Sequence, residues 1–357
     1  MSLRFRHLQA LALAAVLALS ACSDSSGPNF DGNFDAAATS SNIQTIEAAY
    51  STPAFQAFAA LGDKFVIGGG VPAASASLIK AAAQSVTMTD QAKIAADQIA
   101  NAMAAPAAIL IPDEYRGQTY TYNGQYYDVD PSRTDAPATG VRFIIYAVNP
   151  ITEEIAEPLN EVGYVDLTDL SNETQASVRL EVVSDGVTYL NYTVTATGVI
   201  TAPTFTIAGF ITDGENQVDF SLVAGIVSTF ASATLTIDYE ISVGEFSVTA
   251  DMSLETDGQG GETMMVAVTF TNEGHTVSII GSVANDIGTL QVTADGQLFA
   301  TITFTQTTIT VVGADGEALD QDEINALQDL IELVEEVFGA WEGLFQPVEF
   351  LFGGPGS

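Results

Sequence analysis

The stretch LTIDYEISVGEFSVTADMSL, residues 235–254, decides the fold class, because apolar and polar side chains alternate along it with a period of two. Leu235, Ile237 and Tyr239 share one face of a first strand, and a second run with the same period starts at Phe246. This alternation predicts antiparallel strands with one buried face and one face in water.

The same period extends from about Gly117 to Val312, with largely Thr, Ser, Asp, Gln and Glu at the intervening positions. We expect the apolar positions of these runs to lie on the buried face of one sheet. They include Val178, Leu180 and Val182; Phe205, Ile207 and Ile211; Met264, Val266, Val268 and Phe270; Val277, Ile279 and Val283; and Leu298, Ala300, Ile302 and Phe304.

Dipeptides that favour positive φ separate these runs and predict tight hairpin turns. They are Asn123-Gly124, Asp185-Gly186, Asp213-Gly214, Asp257-Gly258, Glu273-Gly274 and Asp295-Gly296. Neighbouring strands are therefore expected to be joined directly, as an antiparallel meander. About a dozen strands of roughly eight to eleven residues exceed what a flat open sheet usually carries, so we expect a large curled sheet, half-barrel or barrel-like.

Two helical patterns flank the strands. From residue 42 to about 105, apolar side chains recur every three or four positions in an alanine-rich segment that Pro53 interrupts. Near the C-terminus, Asp320 and Glu323 form a capping box before a helix that is apolar on more than one side. The sequence thus predicts an α+β, mainly β fold, in which both helical regions pack on the sheet.

The N-terminal residues follow a different pattern. Arg4, Arg6 and His7 precede an apolar stretch of about 14 residues, which is shorter than the ~20 that a membrane-spanning helix needs. The stretch ends at Leu19-Ser20-Ala21-Cys22, and Cys22 is the only cysteine of the chain. A basic head, a short apolar core and small residues at its end indicate an export signal.

This N-terminal segment resembles the lipobox of bacterial lipoproteins. The resemblance implies cleavage before Cys22, acylation of that cysteine, and attachment to the cell envelope through the acyl chains. Ser23 at the following position favours the outer membrane, by resemblance to the enterobacterial sorting rule. The expected organisation is a signal peptide (1–21), a lipidated cysteine with a flexible tether (22–41), a helical segment (42–105) and a β domain with the C-terminal helix (106–357), with 42–357 forming one folded unit.

The charge balance excludes several functions. The 45 Asp and Glu outnumber the 9 Lys and Arg, which gives a net charge of −36. Nucleic-acid binders concentrate Lys and Arg on one face, so neither nucleic acid nor an anionic lipid surface is an expected partner. The acidity is open to two interpretations, an adaptation to salt or divalent cations and a surface that charge keeps soluble.

Few residues have a pattern typical of catalysis. His275, which follows a predicted turn, is the only histidine after the signal segment, and no Gly-x-Ser-x-Gly or phosphate-binding glycine loop occurs. We therefore predict no enzymatic activity and no cofactor. The loop from Asp128 to Gly140 is the most plausible functional segment. Its residues Asp128, Asp130 and Asp135 are a weak candidate calcium site, and a solvated acidic loop is the favoured interpretation.

Two functions remain open at this stage. The first is a noncatalytic envelope lipoprotein that binds an apolar ligand or another envelope component. The second is a structural or surface-interaction lipoprotein that binds cations, matrix or a protein. An enclosed apolar cavity of at least ~300 Å³ would favour the first, and a filled interior would favour the second.

Overall fold

The computed structural model describes residues 36–61 and 110–319, with short gaps at 150, 153, 200–201, 229–231, 258–260, 286 and 306–307, together with Ile324 and Leu327. The two helices in these residues are α1 (Ala36–Tyr50) and α2 (Pro53–Ala59). The strands are β1 (Gln118–Tyr122), β2 (Tyr127–Val129), β3 (Gly140–Tyr146), β4 (Glu161–Asp169), β5 (Ala176–Ser184), β6 (Val187–Val199), β7 (Ala202–Thr212), β8 (Gln217–Ser228), β9 (Ser232–Val243), β10 (Phe246–Asp257), β11 (Glu262–Asn272), β12 (His275–Ala284), β13 (Ile287–Ala294), β14 (Gln297–Phe304) and β15 (Ile309–Gly313).

All these strands belong to one 15-stranded sheet in the order β15 to β3, then β1, then β2. The sheet is curled like a half-barrel and does not close, since β15 and β2 are its two edges. Each strand from β3 to β15 pairs antiparallel with its chain neighbour, which confirms the predicted meander.

The first three strands depart from the meander. Strand β1 lies between β2 and β3 and pairs parallel with β3, whereas it pairs antiparallel with β2. Strand β2 therefore runs back to the start of β1, and residues 130–139 must cross over β1 to reach β3. The parallel pairing of β1 with β3 departs from the predicted antiparallel meander, and the longer connection from β2 to β3 is needed because a hairpin can join only antiparallel strands.

The hairpin turns adopt the backbone conformation that the sequence predicts. Asp185 and Gly186 have φ of 51° and 79°, and Asp295 and Gly296 have φ of 47° and 76°. Positive φ at both central residues is the signature of the type I′ turn, whose twist matches that of paired strands. Glu273-Gly274, Asn123-Gly124 and Asp213-Gly214 also lie between paired strands, whereas Gly258 is outside the described residues.

The buried face of the sheet and the two helices share one continuous apolar core. Helix α2 packs against β3 to β6, and α1 packs against β7 to β9. Pro53 separates the helices as expected: the Thr52 hydroxyl caps α2 by accepting a 3.3 Å hydrogen bond from the Phe55 amide, and Pro53 occupies the first turn. Ile324 and Leu327 are helical and buried in the same core, in agreement with a C-terminal helix that packs on the sheet.

Two local predictions were wrong. Helix α1 begins at Ala36, inside the segment assigned to the flexible tether, because the run of alanines at 36–38 has high helix propensity. Leu298 is exposed and Phe299 is buried, although the period of two placed Leu298 on the buried face. A bulge in the pairing of β13 with β14 leaves Phe299 as the extra residue and reverses the two side chains.

Several predicted features lie outside the described residues. They are the signal segment with Cys22, the helical pattern beyond residue 61, and the capping box of Asp320 and Glu323.

Candidate functional site

The outer face of β3 and β4 is covered, unlike the Thr-, Ser- and Asp-rich outer face of β9 and β10. Ile144 and Asp166 point outward on these strands and are nevertheless buried. The crossing segment 130–139 lies on this side, since Arg133 and Asp135 line the same groove as Arg142. The crossover at β1 therefore produces a second layer over one end of the sheet.

A groove of about 360 Å³ opens between this layer, strands β3 and β4, and the turn after β5. Its volume is within the range of small-molecule sites, roughly 300–1,000 Å³. Ile144, Val162 and Tyr164 form its apolar wall. Its polar lining consists of Thr119, Arg133, Asp135, Arg142, Glu161 and Asp185.

A buried ion pair forms one wall of the groove. Arg142 on β3 donates two hydrogen bonds to Asp166, directly opposite on β4, with Nε–Oδ1 and Nη2–Oδ2 distances of 2.7 Å. The Arg142 guanidinium also lies 3.6 Å from the centre of the Tyr164 ring, in a cation–π contact. The pKa of Asp166 is raised overall, because the effect of burial exceeds the opposing effect of the Arg142 guanidinium. The bidentate pair and the ring together fix the Arg142 side chain.

Arg133 attaches the crossing segment to the sheet. Its Nε lies 3.3 Å from Asp130 Oδ2, and its Nη2 lies 2.5 Å from Glu161 Oε1 at the start of β4. The hydrogen bond to Glu161 raises the pKa of Arg133. These groups are in contact with solvent, so the two bonds position the loop and contribute little to stability.

Thr119 carries a buried hydroxyl with no hydrogen-bond partner in the described structure. The residue is 1 % exposed, lines the groove, and stands opposite Arg142 in the parallel pairing of β1 with β3. An unpaired buried hydroxyl costs on the order of 1–3 kcal/mol, so such groups are rare unless a ligand or water satisfies them. The Thr119 hydroxyl is thus an unsatisfied polar group that lies buried beneath the groove surface.

Hydrogen-bond donors and acceptors lie side by side in the groove. Within the described residues, the Nη1 atoms of Arg133 and Arg142 have no hydrogen-bond partner. The carboxylates of Asp135, Glu161 and Asp185 add acceptors along the same lining, and all three residues are exposed. The groove can therefore donate to a ligand and accept from it at neighbouring positions.

The three aspartates of the weak candidate calcium site, Asp128, Asp130 and Asp135, are not grouped as metal ligands among the described residues. Asp128 accepts a 2.8 Å bond from the Val129 amide, and Asp130 accepts bonds from Ser132 and Arg133. The Ser132 hydrogen bonds lower the pKa of Asp130. In the part of the chain that the structure describes, no group of three or more His, Cys, Asp or Glu side chains is placed to hold a metal ion. Asp135 of the same loop lines the groove.

His275 is a surface residue at the start of β12, as its position after a turn predicts. Its Nδ1 lies 2.9 Å from Oδ2 of Asp295, in the turn after β13, and its side chain is half-exposed.

Sequence reasoning missed Thr119, Arg142, Tyr164, Glu161 and Asp185 as site residues. One signal was available: Arg142 interrupts the apolar run of β3, and Asp166 interrupts that of β4. A second was the distribution of charge, because no Lys or Arg follows Arg179 in the chain. Both signals indicate that arginines and charged residues that interrupt apolar strands are concentrated at the β1–β5 end of the sheet.

Comparison of the chain with protein-family models, with curated proteins and with solved structures finds no match. Among the described helices, none has the length and apolar character needed to cross a membrane.

Proposed function

We propose that the protein is a noncatalytic lipoprotein of the bacterial cell envelope that binds a component of its surroundings in the outer groove. The observation that carries the binding role is the groove itself, where Thr119 and the two arginines hold polar groups without hydrogen-bond partners in the described residues. The lipobox sequence Leu19-Ser20-Ala21-Cys22 supports anchoring through acyl chains on Cys22. Ser23 supports placement in the outer membrane.

Surface interaction is better supported than binding of an apolar ligand. The apolar side chains of the described sheet face pack into one core with α1 and α2. The groove lies on the opposite face and is lined by five charged side chains, among them Arg142 and Glu161. An acyl chain in this groove would remove those charges from water without replacing their hydrogen bonds, which is unfavourable.

A binding role also fits the chemistry of the groove. The Thr119 hydroxyl could act as a nucleophile only beside a general base, and it has no hydrogen-bond partner in the described structure. Arg142 holds Asp166 in a bidentate pair, which removes that carboxylate from proton transfer. These features support a binding role over a catalytic one.

Replacing Cys22 with Ser tests the anchor. The variant is expected to lose nearly all incorporation of an alkyne-tagged fatty acid, because the thiol is the proposed site of acylation. It should also leave the membrane fraction, since no other acyl attachment is proposed. Labelling and fractionation of an expressing bacterium measure both effects.

Ser25→Ala is the matched control, because it changes a serine of the adjoining segment and keeps the thiol. It should behave like the unmodified chain. Acylation of Cys22→Ser at the level of Ser25→Ala would contradict the proposed anchor.

A further inference from the structure

We infer that the groove binds an uncharged saccharide, an inference that rests on the proposed binding function. It concerns the class of ligand and follows from the donors, acceptors and charges of the groove lining.

The pattern of donors and acceptors fits a hydroxyl-rich ligand. Each saccharide hydroxyl can donate one hydrogen bond and accept others. The groove offers guanidinium donors from Arg133 and Arg142 beside carboxylate acceptors from Asp135, Glu161 and Asp185. Adjacent hydroxyls of one sugar ring can therefore accept from a guanidinium and donate to a neighbouring carboxylate.

The charges of the lining disfavour small ions. An anion would need the guanidinium groups, but Asp166 already neutralises Arg142, and Asp130 and Glu161 already pair with Arg133. A metal cation would lie beside two guanidinium groups, and no three carboxylates of the described residues converge to hold one. An uncharged ligand avoids both conflicts and still uses the charged groups as strong hydrogen-bond partners.

The remaining groove residues fit the same ligand. Ile144, Val162 and Tyr164 supply an apolar wall for the C–H surface of a sugar ring. Thr119, opposite Arg142 on the neighbouring strand, supplies a hydroxyl that is unsatisfied in the free protein. A ligand hydroxyl that reaches it would remove the penalty of the unpaired group.

Titration calorimetry of the full mature chain carrying Cys22→Ser tests the inference. The probes are three neutral trisaccharides (maltotriose, cellotriose and chitotriose), with spermidine and citrate as charged comparisons. At least one trisaccharide is expected to bind, with an affinity that changes little between 50 mM and 500 mM salt, because screening acts on charged ligands.

Thr119 variants identify the site. Thr119→Val should weaken trisaccharide binding by about tenfold, since it removes one hydrogen bond. Its urea unfolding midpoint should be equal to or above that of the parent, because the hydroxyl is unsatisfied without ligand. Thr119→Ser keeps the hydroxyl and should bind like the parent. A hydroxyl with only a structural role would give the reverse, lower stability with unchanged binding.

Two outcomes overturn the saccharide inference. Binding of spermidine or citrate that depends on Thr119, without trisaccharide binding, would leave the groove as a binding site and reject the ligand class. Absence of binding by every probe would reject the ligand class as well. In that case a crosslinking experiment at Val162, described below, decides independently whether the proposed binding function also fails.

Discussion

Replacing Asp166 with Leu is expected to lower the free energy of unfolding by about 3–5 kcal/mol, as is typical when one partner of a buried ion pair is removed. The side chains of Arg142 and Asp166 are only 16 % and 11 % exposed, so the Arg142 guanidinium would lose its partner in a poorly solvated place. Arginine cannot shed its proton to escape this penalty. Urea denaturation measures the loss.

Removing the other partner of the pair, Arg142, should cost less stability than removing Asp166, and the loss should depend on pH. In Arg142→Met, the remaining Asp166 carboxyl can take up a proton, and burial already raises its pKa. The folded state then binds more protons than the unfolded state, so the stability of this variant falls as pH rises through the folded-state pKa and is regained at lower pH. The double variant Arg142→Met with Asp166→Leu should recover much of the loss, because no unpaired charge remains.

The neighbouring exposed pair is the matched control. Glu161→Gln removes one partner of Arg133, whose side chain is 35 % exposed, and should change stability by no more than about 1 kcal/mol. Equal losses from Asp166→Leu and Glu161→Gln would contradict the view that burial distinguishes the two pairs.

Phe143→Ala is expected to destabilise the protein by about 3–5 kcal/mol, through lost burial and the cavity left behind. Phe143 is completely buried on β3, next to Arg142 in sequence but on the opposite face of the sheet. Its ring stacks on Tyr120 with centroids 4.8 Å apart and meets Tyr127 edge-on at 5.5 Å. The residue therefore joins β1, β2 and β3 beneath the groove. Thermal or urea unfolding measures the effect.

Tyr126→Ala provides the comparison for Phe143→Ala. Tyr126 belongs to the same region, but the residue is 55 % exposed, so removal of its side chain should change stability by about 0.5 kcal/mol or less. A loss below ~1 kcal/mol for Phe143→Ala would show that the aromatic contacts of β1 to β3 do not hold this end of the sheet.

The sheet could be predicted from the sequence because its signals are local. A period of two in runs such as Val178 to Val182 and positive-φ dipeptides such as Asp185-Gly186 report on a few neighbouring residues, and the pairing follows from them. The bulge at Phe299 escaped prediction, because one extra residue reverses the alternation without changing the composition of the run.

The groove could not be predicted in the same way. It depends on the insertion of β1 between β2 and β3, which brings Thr119 beside Arg142 although 22 positions separate them in the chain. Glu161 and Asp185 join them only through the pairing of later strands. The unsatisfied state of the Thr119 hydroxyl is a property of this long-range packing, and no spacing in the sequence encodes it.

Site-specific photocrosslinking in cells tests the central claim, that the anchored protein acts by binding at the outer groove. A photoreactive benzoylphenylalanine replaces Val162 in the groove wall, or Met265 on the exposed outer face of β11 as the control position. The account predicts a light-dependent adduct from position 162 and none from position 265. Absence of an adduct at 162, or equal yields at both positions, would contradict it.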